Sequence, residues 1–138
     1  MIDIQITEEP LDAAKCLSAI SSHEAGGNAV FIGTVRNQPK GKEVLHLDFE
    51  AYEPMAIKEM HKIAARCMKR WELIGLAIHH RTGRLQLGEV PVVIAVASAH
   101  RKNAFEACEF AIDELKKSVP IWKREFFENG DLWVAAHP

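Results

Sequence analysis

The chain contains 138 residues, of which 48% are hydrophobic and 26% are charged, and its formal net charge is −2. This length and composition are typical of one soluble globular domain over residues 1–138, whose core needs neither disulfides nor a metal. The slight acidity argues against nucleic-acid binding, which usually requires an excess of Lys and Arg.

No apolar run approaches the ~20 residues needed to cross a bilayer, so we expect no membrane contact. The N-terminal MIDIQITEEP lacks the basic and apolar regions of a signal peptide. The three cysteines are far apart and form no CxxC motif, which suits free thiols in a reducing cytoplasm.

The first predicted elements are a short strand and a helix. The alternating segment IDIQI predicts a strand with its isoleucines on one face. Thr7 is a plausible N-cap, and the acids and Pro10 that follow favour a first helical turn. The pattern therefore predicts a helix over 8–20.

Two strands and a second helix come next. The segments NAVFIGTVRN and LHLDFEAY each predict a strand, and the second places Leu45, Leu47 and Phe49 on one face. Residues 37–43 between them are polar and contain proline and glycine, so we expect a mobile loop. Pro54 opens the long second helix.

The remaining segments predict strands around a third helix. LIGLAIHHR and PVVIAVASA predict strands, RLQLGE a short connector or strand, and residues 101–117 a helix. IWKREFFE and DLWVA flank Asn129-Gly130, a strong hairpin signal. The whole predicts an α+β fold: a single domain with a mainly antiparallel sheet, three helices packed on it and a C-terminal hairpin.

Four cations surround an apolar centre in KKSVPIWKRE. Lys116 lies in the last turn of the third helix, where a cation complements the helix dipole. Lys123 lies in the next strand, and Glu125 shares its strand face because side chains at i and i+2 point the same way. The spacing fits an anion site held in place by Glu125, although on spacing alone a solvated helix end and strand face is the better explanation.

A second cationic cluster, His100-Arg101, lies where the apolar strand meets the third helix. Free backbone N–H groups and the positive end of the helix dipole favour phosphate or carboxylate there. At ~1.5 Å per residue, this cluster lies roughly 20 Å or more from Lys116. The two ends therefore form separate sites, or a second subunit joins them. Arg36, at the end of GTVRN, is a weaker candidate anion clamp.

The adjacent His79 and His80 raise the question of a zinc site. Neighbouring strand residues point to opposite faces, and no cysteine or acid completes a tetrahedral ligand set at normal spacing. The sequence predicts no metal, and a zinc-dependent hydrolase using His79, His80 or His100 is kept only as an alternative. The cysteines lie on apolar helical faces, where free thiols behave as small hydrophobes.

Several stretches, taken together and in order, resemble the large, catalytic subunit family of molybdopterin synthase. They run from about residue 28 to 135 and read GTVRN, LDFEAYEPMA, HRTGRLQLGE, AHRKNAF, DELKKSVPIWKRE and NGDLWV. The resemblance implies a sulfurtransferase that converts cyclic pyranopterin monophosphate to molybdopterin by adding two dithiolene sulfurs. It implies no cofactor and no catalytic cysteine.

The resemblance also implies partners. The sulfur comes from a small ubiquitin-like carrier subunit that ends in a Gly-Gly thiocarboxylate. Two large subunits form a homodimer with one carrier at each end, which makes a heterotetramer whose pockets draw on both large subunits.

The resemblance implies two catalytic residues, Lys116 near the C-terminus of the carrier and Lys123 facing the pterin and its phosphate. The other implied substrate-binding residues are Glu125 and Arg124 on the same strand, His100 and Arg101 from the neighbouring subunit, and Thr34, Val35 and Arg36 as another wall. Without the resemblance, the residues predict only an oligomeric, anion-binding α+β domain. A non-catalytic adaptor that binds a nucleotide or phosphopeptide through the same cations is therefore the second hypothesis.

Overall fold

The computed structural model describes residues 1–37, 43–128, 130 and 132–135, with the side chains of 133 and 135 left undescribed. The elements in chain order are β1 (Ile2–Thr7), α1 (Ala13–Ala19), β2 (Gly27–Gly33), β3 (Val44–Ala51), α2 (Glu53–Arg70), β4 (Gly75–Arg81), β5 (Gly83–Leu85), β6 (Val92–Ser98), α3 (Arg101–Ser118), β7 (Ile121–Phe127) and β8 (Leu132–Ala135). Most of the predicted loop over 37–43 lies outside the described residues.

The strands divide between two four-stranded sheets. Sheet A has the order β1-β4-β6-β2, with β1 parallel to β4 and the other pairs antiparallel. Sheet B has the order β5-β3-β7-β8 and is antiparallel throughout. The predicted α+β class, with a mainly antiparallel arrangement and three helices in the described part of the chain, is confirmed. None of these helices combines the length and apolarity needed to span a membrane.

Sheet A is covered on both faces, because alternate side chains of β4 and β6 point to opposite sides. Leu76 and Ile78 belong to the larger core cluster, together with buried residues of α2, α3 and the inner face of sheet B. Ala77 between them belongs to a second cluster with Cys16 of α1. The same alternation sends His79 toward α1 and His80 toward the larger core.

Helix α1 starts later than the sequence predicted. Thr7 ends β1 instead of capping the helix, and its Oγ1 accepts a hydrogen bond of 3.0 Å from the Glu9 backbone N–H. The N-cap is Asp12, whose Oδ1 accepts a 2.9 Å bond from the Ala14 N–H. The prediction of a helix over 8–20 was therefore wrong at its start. Both Thr7 and Asp12 are suitable capping residues, and the chain uses Asp12, which lies four residues before the buried Cys16.

The prediction that Leu45, Leu47 and Phe49 share one face of β3 is also wrong. Leu47 and Phe49 are buried as expected, but Leu45 is 51% exposed. The pairing of β3 with β7 shifts register between Val44 and His46. This bulge inserts one residue, so Val44 takes the inward position that strict alternation would give to Leu45.

The predicted C-terminal hairpin is present. Strands β7 and β8 pair antiparallel, with Phe126 opposite Leu132. Gly130 lies between them with a φ of 90°, a conformation that glycine adopts at little cost. Asn129, the other residue of the predicted turn signal, lies outside the described residues.

Candidate functional site

One cavity, called the main cavity below because most of the predicted site residues line it, lies between the end of β2, the inner face of sheet B and the last turns of α3, and its volume is about 230 Å³. Phe31, Leu47 and Phe49 supply apolar walls. Six of the nine predicted site residues line it: Thr34, Val35, Arg36, Lys116, Lys123 and Glu125. The fold thus gathers cations from three separate elements around one opening.

The β2 exit is held by backbone hydrogen bonds at Val35. Its N–H donates to the Glu89 carbonyl at 2.9 Å, and its carbonyl accepts from the Gly88 N–H at 2.7 Å. Val35 itself is buried, while Thr34 and Arg36 on either side of it are exposed. The anchored valine therefore presents its two polar neighbours to the cavity.

Lys116 lies on the exposed rim of the cavity at the end of α3. The preceding Leu115 is fully buried, and its carbonyl accepts a 3.2 Å hydrogen bond from the Val119 N–H, which closes the helix. A buried residue on each side of the helix end thus fixes the backbone from which Lys116 projects.

Lys123 and Glu125 form the ion pair that the strand alternation predicted. Their Nζ and Oε1 atoms are 3.5 Å apart, and Glu125 is only 7% exposed. A carboxylate at that depth needs a partner, because burial of an unpaired charge is costly. The pair therefore restrains Lys123 inside the cavity, opposite Phe49 on β3.

His80 also lines the cavity, and it was considered in the sequence only as a zinc ligand. It is 0% exposed, its Nδ1 lies 2.9 Å from the Arg81 carbonyl oxygen, and its ring meets Phe49 edge-on at 5.4 Å. Burial lowers the pKa of His80 to about 4, so the imidazole is neutral at physiological pH. The available indication in the sequence was strand alternation, which places His80 and His79 on opposite faces of β4.

His100 and Arg101 lie away from the main cavity. They line a second cavity of about 360 Å³ with Gly26, Ala99 and Lys102, at the opposite end of α3. Lys116 lies 15 residues after Arg101 on α3, so about 23 Å of helix separates the two ends. One chain does not bring the two clusters together, as the helix length predicted, and the role of this pair stays a prediction.

Arg124 faces the side of sheet B opposite to Lys123. Its guanidinium lies 3.4 Å from a carboxylate oxygen of Glu50, and both side chains are about half exposed. It does not line the main cavity, so its predicted contribution to substrate binding within that cavity stays a prediction.

His79 takes part in a separate hydrogen-bonded chain. Its Nε2 lies 2.7 Å from Asp3 Oδ2, and its Nδ1 lies 3.1 Å from Cys16 Sγ. The order Cys-His-Asp is that of a nucleophilic triad, but Cys16 is 0% exposed. Burial and the carboxylates of Asp3 and Asp12 raise the pKa of its thiol to about 11. The arrangement ties α1 to sheet A and does not activate a nucleophile.

No cluster of three or more His, Cys, Asp or Glu side chains suited to a metal occurs among the described residues. His79 and His80 point to opposite faces of sheet A, so they cannot chelate one ion together. The site instead offers ammonium and guanidinium groups, a neutral imidazole and an apolar wall, which are suited to a flat, anionic molecule.

Comparison with known proteins identifies the family. Residues 6–118 match the family model described as MoaE protein. The chain belongs to the MoaE family. The resemblance recognised in the sequence motifs is thereby confirmed.

Individual members of the MoaE family agree with this assignment. A Bacillus subtilis protein named molybdopterin synthase catalytic subunit is 45% identical over 130 residues, which cover 94% of this chain and 83% of the relative. The crystal structure of molybdopterin synthase from Staphylococcus aureus matches with a TM-score of 0.90 and 38% identity over 96% of each chain. These relatives bear out the prediction that the chain is an enzyme.

A third comparison concerns assembly. A structure described as a protein–protein complex of subunits 1 and 2 of molybdopterin-converting factor from Helicobacter pylori matches with a TM-score of 0.75 at 26% identity. The match covers 99% of this chain and 93% of that chain. In that protein, a subunit of the MoaE fold binds a second polypeptide.

Proposed function

We propose that this chain is the catalytic subunit of a molybdopterin synthase, which transfers two sulfurs to cyclic pyranopterin monophosphate to form the dithiolene of molybdopterin. The sulfur donor is the C-terminal thiocarboxylate of a small ubiquitin-like carrier. The observation that carries the proposal is the convergence of Arg36, Lys116 and Lys123 on one cavity in a member of the MoaE family.

The charge of the cavity fits the charge of the reactants. The pterin brings a phosphate and the carrier brings a thiocarboxylate, and both are anions. The chain as a whole carries a net charge of −2, so the grouped cations form a local exception. Fixed cations in a partly apolar cavity attract such ligands and stabilise negative charge as it develops on oxygen.

The two lysines take different roles because their surroundings differ. Lys123 is restrained by Glu125 inside the cavity and faces the pterin and its phosphate. Lys116 stands on the exposed rim, where the tail of the carrier arrives, and it stabilises the acyl group or transfers a proton as sulfur leaves. For each sulfur, a carbon–sulfur bond to the pterin forms as a carbon–oxygen bond at the same carbon breaks, and that oxygen stays with the phosphate or leaves as water. Water then cleaves the acyl–sulfur bond, so the sulfur stays on the pterin and the carrier ends in a carboxylate.

A second copy of the chain supplies the remaining predicted residues. Strand β2 is an edge of sheet A and exposes Val30 and Ile32, and Phe105 on α3 is 64% exposed beside them. Phe31 and Ile112 line both this apolar surface and the main cavity. A homodimer formed across the surface therefore adjoins the main cavity, where His100 and Arg101 of the second copy bind the phosphate.

The carrier completes a heterotetramer with one small subunit at each end of the homodimer. The Helicobacter pylori complex of subunits 1 and 2 supports the binding of a second, partner subunit. We assign the reaction to the cytoplasm, a reducing compartment in which the three free cysteines remain thiols.

The test is one reaction with three components. Purified protein, thiocarboxylated carrier and cyclic pyranopterin monophosphate are mixed, and mass spectrometry detects a dithiolene product. Lys116→Ala and Lys123→Ala should each lower kcat about 100-fold in protein that remains folded. Lys116→Ala should keep the wild-type unfolding midpoint, whereas Lys123→Ala should lower it because the buried Glu125 loses its partner. Lys117→Ala is the matched control, because this neighbouring lysine is exposed and does not line the cavity.

A wild-type kcat in both Lys116→Ala and Lys123→Ala would contradict the catalytic roles assigned to these lysines. A folded protein that binds the carrier but yields no product would instead favour the adaptor hypothesis, with the cations acting as a docking surface.

A further inference from the structure

The buried imidazole of His80 has one nitrogen without a partner. Among the described residues, its Nε2 is fully covered and forms no hydrogen bond, although the ring lines the main cavity. Folded proteins rarely leave a buried polar atom unpaired, because the atom gives up its hydrogen bonds to water without replacement. This atom therefore requires a functional or structural explanation.

The other ring nitrogen fixes the tautomer. Nδ1 lies 2.9 Å from the Arg81 carbonyl oxygen, and a carbonyl can only accept a hydrogen bond. Nδ1 therefore carries the proton. Because the buried ring is neutral, Nε2 carries a lone pair, and His80 presents a hydrogen-bond acceptor at the cavity.

An acceptor is scarce in this cavity. The charged side chains of Arg36, Lys116 and Lys123 are donors, and Lys123 already engages Oε1 of Glu125. A pterin differs from a simple phosphate in that its fused ring carries N–H and amino donors. The cations recognise the anionic end of such a molecule, but they offer nothing to those donors.

We propose that Nε2 of His80 accepts a hydrogen bond from an N–H group of the bound pterin and so orients the ring against the phosphate site. The proposal rests on the proposed function, since it names the part of that substrate which His80 recognises. His80 is a positioning and specificity residue, and the lysines remain the groups that act on the reacting atoms. The side chain is covered in the free protein, so pterin entry requires a lining side chain to shift.

Two substitutions test the roles of the two ring nitrogens of His80 separately. In His80→Asn, the amide can still donate to the Arg81 carbonyl from the Nδ1 position, but nothing replaces Nε2. In His80→Gln, the longer side chain can place an acceptor near Nε2. We expect His80→Asn to raise the KM for the pterin about three- to tenfold without raising the KM for the carrier. His80→Gln should raise the KM for the pterin less than His80→Asn does, because it keeps an acceptor near the position of Nε2.

His46→Asn is the matched control. Its Nε2 is also unpaired, but its ring stacks on Phe126 at 4.5 Å and does not line the main cavity. We expect this variant to keep the wild-type KM for the pterin. Equal KM values for wild type and His80→Asn, or an equal rise for pterin and carrier, would overturn the proposal in favour of a structural role or a buried water as the partner of Nε2.

A second measurement needs no variant and no turnover. In wild-type protein with ¹⁵N-labelled histidine, the Nε2 resonance of His80 should move when cyclic pyranopterin monophosphate alone is added. An unchanged resonance at saturating pterin would overturn the proposal even if the full reaction yields product. A shifted resonance without product in the full reaction would support recognition of the pterin by His80 but contradict the proposed sulfur transfer. Absence of pterin binding would overturn both.

Discussion

Protonation of His80 makes the stability of this protein depend on pH in a way that can be isolated. The pKa of His80 is lowered by burial from 6.5 to about 4. Between these values the unfolded chain holds a proton that the folded chain excludes. The stability is therefore fully present above pH 6.5 and is lost as the pH falls toward 4.

The magnitude follows from the two pKa values. A difference of about 2.5 pKa units corresponds to about 3 kcal/mol of unfolding free energy, of which about 2 kcal/mol is lost between pH 7 and pH 5. Urea unfolding of the wild type at both pH values, at one fixed protein concentration, measures this loss as a fall in the midpoint at constant slope.

Other groups also titrate in this range, so the comparison must be made with His80→Asn and His80→Gln. Glu128 works in the opposite direction, because the neighbouring Glu43 raises its pKa and unfolding releases its proton. That contribution is common to all three proteins and cancels in the difference. If the wild type and both variants lose the same stability between pH 7 and pH 5, the imidazole is not buried as a neutral group and the reasoning fails.

Three further predictions concern the cavity, the interface and the thiols. Glu125→Gln should lower kcat about tenfold by releasing Lys123, and the loss should vanish in a Lys123→Ala background if Glu125 acts only through that lysine. Phe105→Asp should convert the proposed homodimer to monomers in sedimentation velocity with the circular dichroism unchanged, whereas Asp113→Asn, an exposed change on the same helix, should not. The three buried cysteines, whose thiol pKa values are raised to about 11 by burial, should react with a thiol reagent only after unfolding. Fast labelling of the native protein would contradict their assignment as inert.

Local periodicity was sufficient to predict the contacts that depend on one element. The pairing of Lys123 with Glu125 needed only strand alternation, and the separation of His100 from Lys116 needed only the rise of a helix. Both are properties of neighbouring residues, so they follow from sequence spacing without knowledge of the sheet order.

The contacts that sequence spacing missed depend on long-range pairing. The exposed Leu45 results from a bulge whose position is set by the partner strand β7. The place of His80 beside Arg36 depends on which face of sheet A meets α3 and sheet B. Alternation showed that His79 and His80 point apart, but it could not show which of them enters the cavity.

The segment between α3 and β7 explains why apolar residues lie among the four cations of KKSVPIWKRE. Val119 and Ile121 are fully buried, and the Pro120 carbonyl accepts a 3.2 Å hydrogen bond from the Tyr52 N–H at the start of α2. This anchor fixes the backbone on both sides, from Lys116 to Lys123. Long lysine side chains lose much conformational freedom when they are held at a ligand. Because the backbone beneath them is already ordered on folding, only their side-chain torsions remain to be restricted when the anions bind.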